Sequence, residues 1–207
     1  MGQKTMKILA ASDLHGDSRQ AEKLAQKAED EKVDLVALVG DLSHNGSEPV
    51  GLIGPFKKRG IKVLMIPGNH DHQHDHDMLC KIYETDNLHG YGLKIGDVGI
   101  FGCGASTNVG PVNFISEQQL FELLEKAHKE MGNVKKKIML THMHPESSII
   151  EKFTKFIPPS SGVRKAIDKF KPDIAICGHV HEAEGIEDKI GNTKIINVGK
   201  KGWVFDI

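Results

Sequence analysis

The sequence has little of what commits a chain to a membrane or to nucleic acid. No apolar run approaches the ~20 residues of a membrane-spanning helix, and the apolar stretch at residues 8–11 is too short for a signal-peptide core. The net charge is −1 and only 5% of the residues are aromatic, so few groups could track or stack on a nucleic-acid strand. We therefore expect neither a membrane nor a nucleic acid as a partner.

Cysteine is scarce as well. The chain has three cysteines in 207 residues, an odd number without the short spacings of a metal site. Cys177 ends an apolar run, which predicts a packed thiol. This usage fits a reducing compartment, and we expect a cytoplasmic protein. The length favours one domain over residues 1–207.

Histidine, in contrast, is abundant, with 12 copies. Neutral imidazole is the commonest metal ligand, so this excess indicates a metal site. His72, His74 and His76 alternate with acidic residues, which favours a solvated loop, with an accessory metal or substrate contact as the alternative. His144 either lines a substrate pocket or lies in a solvated loop. His89 and His128, which have no partner nearby in the sequence, are expected at the surface.

Five short apolar runs, each typical of a buried strand, end in residues able to bind a metal or move a proton. The runs and the polar residues after them are 7–11 with Asp13 and His15, 34–39 with Asp41, 64–66 with Asn69, His70 and Asp71, 137–140 with His142, and 173–177 with His179 and His181. Sheets of α/β proteins place their sites at the carboxyl ends of their strands. The pattern therefore predicts one polar site across a sheet edge.

The polar residues at this edge are oxygen and nitrogen ligands without a thiolate. Such a set suits Mn, Fe, Zn, Ni or Co better than calcium, which prefers oxygen alone. Seven ligands are too many for one tetrahedral ion and about right for two ions that share a carboxylate. The seven candidates are Asp13, His15, Asp41, Asn69, His142, His179 and His181.

Helical and hairpin patterns fill the intervals between the strands. Apolar spacing predicts helices over 18–28 with Ser18 as N-cap, over 48–59, over 78–85, after a capping box at Ser116 and over 163–170. Alternating apolar residues around Gly96 and Asp97 predict a hairpin within 91–105, and two further strands are expected over 193–198 and 203–205. Two sheets face to face with helices outside would accommodate this order.

The chain resembles the calcineurin-like metallophosphoesterase family in five sequence blocks that occur in the family's order. They span residues 13–181 and are Asp13-Leu14-His15, Gly40-Asp41, Gly68-Asn69-His70-Asp71, Thr141-His142 and Gly178-His179-Val180-His181. A lone Asp-x-His carries almost no information, whereas five ordered blocks at strand ends are specific. The resemblance implies an α/β fold, a four-layer α/β/β/α sandwich of two mixed sheets flanked by helices.

The resemblance also implies a role for each matching residue. Asp13, His15 and His181 would hold one divalent ion and Asn69, His142 and His179 a second, with Asp41 bridging them. His70 would be the catalytic histidine, and Asp71 would orient it by a hydrogen bond. The expected cofactors are two divalent ions, Mn first, with Fe, Zn, Ni and Co as alternatives. A metal-bridging hydroxide would attack phosphorus while His70 assists the leaving oxygen.

The substrate is less well defined by the sequence. A chain of 207 residues leaves little for a large cap, and no arginine accompanies the site motifs, which disfavours a nuclease and a phosphoprotein phosphatase. Retention of His70 favours diesters, so we expect a phosphodiesterase acting on a small molecule such as a cyclic nucleotide. A phosphomonoesterase acting on nucleotides or phosphosugars is one alternative. A protein-binding scaffold of the same fold is another, against which the complete ligand set argues. The sequence leaves the oligomeric state open.

Overall fold

The computed structural model describes residues 5–45, 51–107 and 110–207. Eleven strands in this part of the chain form two mixed sheets. The strands are β1 (Lys7–Ala11), β2 (Leu35–Val39), β3 (Lys62–Ile66), β4 (Asp86–Asn87), β5 (Tyr91–Ile95), β6 (Val98–Cys103), β7 (Lys136–Thr141), β8 (Ile174–Cys177), β9 (Glu187–Ile190), β10 (Thr193–Asn197) and β11 (Trp203–Asp206). The helices are α1 (Ser18–Asp30), α2 (Gly54–Lys58), α3 (Gln73–Ile82), α4 (Glu117–Glu130) and α5 (Ser161–Phe170).

The first sheet has the strand order β11-β1-β2-β3-β4 and the second β5-β6-β7-β8-β10-β9. Parallel pairing joins β1, β2 and β3 in the first sheet and β6, β7 and β8 in the second. Because these strands are parallel within each sheet, their carboxyl ends lie at one edge of it. The five predicted strands are confirmed, and each sheet ends in the predicted polar residues.

Apolar side chains separate the molecule into four layers. One core cluster, which includes Ile8, Ala37, Ile138 and Ile196, joins residues of both sheets. A second packs α1 and α2 against the outer face of the first sheet, and a third packs α4 and α5 against the second. The α/β/β/α sandwich predicted from the resemblance is confirmed. Among the described residues, the longest apolar helical stretch falls short of what crossing a membrane requires.

Several local predictions are confirmed. β5 and β6 pair antiparallel around Gly96 and Asp97, as the hairpin pattern predicted. Ser116 opens α4 with a capping box, since its hydroxyl accepts from the Gln119 amide while the Gln119 side chain accepts from the Ser116 amide. Cys177 is buried, as expected of a packed thiol.

Other local predictions were wrong. Asp17, not Ser18, caps α1, because its carboxylate accepts from the Gln20 amide. The described part of the helix predicted over 48–59 is shorter and spans only Gly54–Lys58, with a proline in its first turn; residues 48–50 lie outside the described residues.

The alternating histidines and acids do not form a solvated loop. Residues 73–82 form α3, on which His76 is buried beside Cys80 while His74 is 87% exposed. The alternating pattern concealed a helix because its apolar residues are few. His89 and His128 are half-buried rather than exposed. His128 stacks on the ring of Phe170 at 4.6 Å between centroids.

Candidate metal centre

Two carboxylates from the first sheet anchor the polar edge. Asp41 follows β2, and its Oδ1 accepts from the backbone amide of His70 at 2.9 Å. Asp13 follows β1, and both its oxygens lie within 3.2 Å of the backbone amide of His179 from the second sheet. Both aspartates are buried. The carboxylates therefore bind the loops of both sheets into one site.

Imidazoles converge on the second oxygen of Asp41. Its Oδ2 lies 3.3 Å from His142 Nε2, 3.7 Å from His15 Nε2 and 4.0 Å from His70 Nε2. Asn69 Oδ1 lies 2.9 Å from the same His142 nitrogen. The central position expected of a bridging carboxylate is therefore occupied by Asp41.

The protonation of His142 shows what this cluster is arranged to receive. His142 Nδ1 donates to the carbonyl of Val39 at 3.0 Å, so a neutral ring would turn the lone pair of Nε2 toward the oxygens of Asp41 and Asn69. Acceptors that face acceptors in a buried place need a cation between them. Burial lowers the pKa of His142, but the Asp41 carboxylate outweighs burial and raises that pKa to about 9. Without a metal ion, a proton on Nε2 of His142 would supply the positive charge that this cluster attracts.

His179 completes the buried group. Its potential ligand atom lies within 4.8 Å of those of Asp41 and His142. Burial and the nearby His142 lower the pKa of His179 to about 3, so the ring is neutral and able to bind a metal. Its Nε2 is buried and has no hydrogen-bond partner among the described residues. An orphaned buried nitrogen in a cluster of ligands fits a divalent ion.

A second, more open group lies beside the first. It combines Asp13, His15 and His181, whose potential ligand atoms also lie within 4.8 Å of one another. Nε2 of His15 and Nε2 of His181 are 3.3 Å apart, and the latter is 3.4 Å from Asp13 Oδ1. The His181 side chain is 57% exposed. The seven predicted ligands are thus brought together as two adjacent groups, and their donor set fits two divalent ions.

The backbone at four of these residues is held in the left-handed region. The φ angles are 58° at Asp13, 46° at His15, 52° at Asp41 and 69° at His179. Side chains other than glycine adopt this region rarely, and such residues concentrate at functional sites. The turns after the strands are therefore shaped for the position of the side chains rather than for the lowest backbone energy.

Steric constraints explain why glycine precedes the ligands in three of the sequence blocks. A Cβ at Gly68 would overlap the Asp41 carboxylate, one at Gly40 would overlap the His142 ring, and one at Gly178 would overlap Ser12 and Asp13. Gly68 thus makes room for a ligand from the neighbouring strand, and Gly40 and Gly178 make room for ligands from the other sheet. The glycine in Gly-Asp, Gly-Asn and Gly-His is part of the site's geometry.

His70 and Asp71 are in the site, but their contacts differ from those expected. His70 Nδ1 lies 2.7 Å from Asn45 Oδ1. Both carboxylate oxygens of Asp71 accept instead from backbone amides, those of Leu42, Ser43 and Gly68. In place of the predicted hydrogen bond between His70 and Asp71, His70 Nδ1 donates to Asn45 Oδ1.

The structure adds Asn45 and His44 to the site and decides one of the two positions left open for His144. Asn45 contacts His70 directly. His44 is exposed, and its potential ligand atom lies within 4.8 Å of those of His15 and His70. His144 is fully buried, and neither of its ring nitrogens has a hydrogen-bond partner in the described part of the chain. Of its two predicted positions, the solvated loop is therefore wrong, and the substrate pocket stays a prediction. His44 and Asn45 lie three and four residues after Asp41 in a polar turn, and nothing in their spacing singled them out.

An open cavity of about 380 Å³ adjoins the ligands. His70 and Asn45 form part of its wall, with Gly110, Pro111 and Ile157 contributing apolar surface. A volume of this size lies within the range of small-molecule sites. The reacting groups of a phosphoester could reach the ligand cluster from here.

The fold and the site together define a metallophosphoesterase. The family model described as calcineurin-like phosphoesterase matches residues 6–183. The chain belongs to this family, whose members depend on divalent metal ions and hydrolyse phosphoesters. No match is found among the curated proteins.

Solved structures share the fold at low sequence identity. TT1561 of Thermus thermophilus is 16% identical and aligns over 98% of this chain and 99% of its own, with a TM-score of 0.75. A phosphopantetheinyl hydrolase of Mycobacterium tuberculosis is 12% identical over 94% and 89%, with a TM-score of 0.62. An archaeal phosphodiesterase is 18% identical over 98% and 100%, with a TM-score of 0.56. At these identities the similarity establishes the fold.

Proposed function

We propose that the protein is a phosphodiesterase that uses two divalent metal ions to hydrolyse a small molecule, such as a cyclic nucleotide. The observation that carries this proposal is the convergence of His142, Asn69 and Asp41 in a buried place, where the atoms that face each other are all acceptors when the His142 ring is neutral. A cation between these acceptors would compensate their repulsion. The adjacent group of Asp13, His15 and His181 offers a second position for a cation. Two cations side by side suit the stabilisation of a transferring phosphoryl group.

The residues divide between holding metal and handling the substrate. His142, His179 and Asn69 would hold one ion, Asp13, His15 and His181 the other, and Asp41 both. When bound, the ions polarise the phosphoryl oxygens and activate water. Nitrogen and oxygen donors without thiolate favour Mn(II), with Fe, Zn, Ni and Co as alternatives.

In the proposed mechanism, His70 assists the leaving group. Its side chain is 24% exposed, beside the cavity, and its Nε2 faces the site at 4.0 Å from Asp41 Oδ2. From there it can donate a hydrogen bond or a proton to the oxygen that leaves phosphorus. Alkoxide leaving groups depend on such assistance, in diesters and in alkyl monoesters alike, so the preference for a diester is decided by the comparison below.

The test compares a diester with a monoester after controlled metal loading. We would strip the protein with a chelator, restore Mn(II), and measure rates on bis(p-nitrophenyl) phosphate and p-nitrophenyl phosphate. We expect metal-dependent cleavage with preference for the diester, lost in Asp41→Ala and strongly reduced in His70→Ala. His74→Ala, which removes an exposed histidine of α3, is the matched control and should keep full activity.

Each other outcome selects an alternative. Preference for the monoester would retain the metal centre but overturn the diester assignment. Failure to cleave either ester with Mn(II), Fe(II), Zn(II), Ni(II) or Co(II) would contradict the proposed hydrolase and favour a binding scaffold of this fold.

A further inference from the structure

We propose that Asn45 is a positioning residue that orients the His70 imidazole toward the phosphoester. This inference rests on the proposed function of His70. The amide oxygen of Asn45 accepts from His70 Nδ1 at 2.7 Å. A ring held at Nδ1 has one orientation, and Nε2 is then the nitrogen that meets the leaving oxygen.

Asp71 is not available for this role. Its carboxylate is buried and accepts from Ser43 N at 2.7 Å, from Gly68 N at 2.8 Å and from Leu42 N at 3.2 Å. These bonds hold the turn after β2 against the turn after β3. Asp71 therefore fixes the backbone, and the orientation of the ring is left to Asn45.

The two turns are tied at a second point. The Ser43 hydroxyl donates to the His70 carbonyl at 2.6 Å. With the backbone of His70 fixed by Ser43 and by the bond from its amide to Asp41, the remaining freedom is rotation of the side chain. The contact with Asn45 removes that freedom, which is how a supporting residue pre-organises a reacting group.

Backbone conformation offers a competing reason for an asparagine at this position. Asn45 has a φ of 50°, and asparagine tolerates the left-handed region better than most residues. Asn45→Gly separates the two reasons, because glycine accepts this φ and lacks the amide. Asn45→Asp keeps an oxygen acceptor and also tolerates the conformation.

The kinetic experiment compares a good and a poor leaving group. Bis(p-nitrophenyl) phosphate releases a stable phenolate, whereas diphenyl phosphate depends more on proton donation. We expect Asn45→Gly to lower kcat on diphenyl phosphate on the order of 10-fold, with a smaller loss on the nitrophenyl ester and an unchanged KM. Asn45→Asp should retain most of the activity, and Asn45→Gly should add nothing in a His70→Ala background. Asn192→Gly, an exposed position in the turn between β9 and β10, is the matched control.

A spectroscopic measurement tests the contact without any turnover. In protein labelled with ¹⁵N-histidine, the Nδ1–H signal of His70, assigned with His70→Gln, should be retained in Asn45→Asp and lost or shifted in Asn45→Gly. The inference is overturned if Asn45→Gly keeps full activity or if Asn45→Asp is as impaired as Asn45→Gly. It is also overturned if the His70 Nδ1–H signal is unchanged in both variants. Should the wild type cleave neither ester, the proposed function fails and the spectrum alone decides on Asn45.

Discussion

The two sheets bring different chemistry to the candidate metal centre. The first sheet supplies both carboxylates and the amide, from Asp13, Asp41 and Asn69, together with two histidines. The second supplies imidazoles alone, from His142, His179 and His181. The shortest contacts between potential ligands run across the two sheets, as between Asn69 and His142 at 2.9 Å. Negative charge comes from one sheet and most of the neutral nitrogen from the other, so the site exists only when the sheets are packed together.

The largest effect is expected when the central carboxylate, which faces imidazoles of both sheets, loses its charge. Asp41→Asn keeps the shape of the side chain but leaves His142, His15 and His70 facing a neutral group. We expect kcat/KM to fall on the order of 10³-fold, because the variant loses the ligand that both cations would share. The measurement is hydrolysis of bis(p-nitrophenyl) phosphate with Mn(II), together with the bound metal per chain.

Asp168→Asn is the control for this variant, since Asp168 is an exposed residue of α5 paired with Arg164. It should retain wild-type activity and metal content. A rate for Asp41→Asn close to that of the wild type would contradict the bridging position of this carboxylate.

Removing the metal should loosen the contact between the sheets. A ligand present at ~1,000 times its dissociation constant stabilises the folded state by about 4 kcal/mol. One kcal/mol shifts the melting temperature of a chain of this size by about 2–4 °C. We expect chelation to lower the melting temperature by roughly 10 °C and Mn(II) to restore it, as followed by circular dichroism. Asp41→Asn should show a much smaller shift on chelation, and equal shifts in the two proteins would place the stabilising metal elsewhere.

A smaller effect is expected from crowding a carboxylate of the first sheet. In Gly68→Ala the new methyl group would overlap the side-chain carboxylate and the backbone nitrogen of Asp41. The turns after β2 and β3 must therefore move apart. We expect a loss of about 2 kcal/mol in the free energy of unfolding, measured in urea. Gly60→Ala is the comparison, because Gly60 has open space around it and a φ of 68°, which costs alanine about 1 kcal/mol. If Gly68→Ala is no less stable than Gly60→Ala, the overlap with Asp41 is not a constraint.

Much of this arrangement was predictable from the sequence, for a physical reason. A buried parallel strand is a continuous apolar run, and the first polar residues after it must lie at the carboxyl edge. The runs before Asp41 and His142 therefore located both the sheets and the candidate ligands. The resemblance to a known family supplied the pairing of the ligands into two groups, which spacing alone does not contain.

The failures have a physical reason too. The hydrogen-bond partners of Asn45 and Asp71 were not predictable. Asp71 accepts from backbone amides of two separate turns, and hydrogen bonds between separate turns have no sequence signature. The first half of α3 was missed, and the helix predicted over 78–85 begins at Gln73 and ends at Ile82 instead. The side chains of α3 are mostly polar, so its buried face at His76 and Cys80 gives no apolar period. His89 was expected at the surface because its partner, the amide of Gly104, is 15 residues away along the chain.

His89 lies in the connection between the two sheets, from β4 to β5, and offers the mildest perturbation. Its Nδ1 accepts from the Gly104 amide at 3.1 Å, which requires an unprotonated nitrogen. Burial, together with the nearby His76, lowers the pKa of His89 to about 4. In the unfolded chain the pKa is about 6.5. Because the folded value is the lower one, the contribution to stability is present above about pH 6.5 and is lost as the pH falls toward 4.

We therefore expect the wild type to lose about 1–2 kcal/mol more than His89→Gln in its free energy of unfolding between pH 7.5 and 5. Urea titrations of the metal-free proteins measure this without interference from metal release. His74→Gln, at an exposed position of α3, should behave like the wild type. Equal losses in the wild type and His89→Gln would mean that protonation of His89 does not oppose folding. In that case the acid sensitivity of the connection between the sheets must come from other groups.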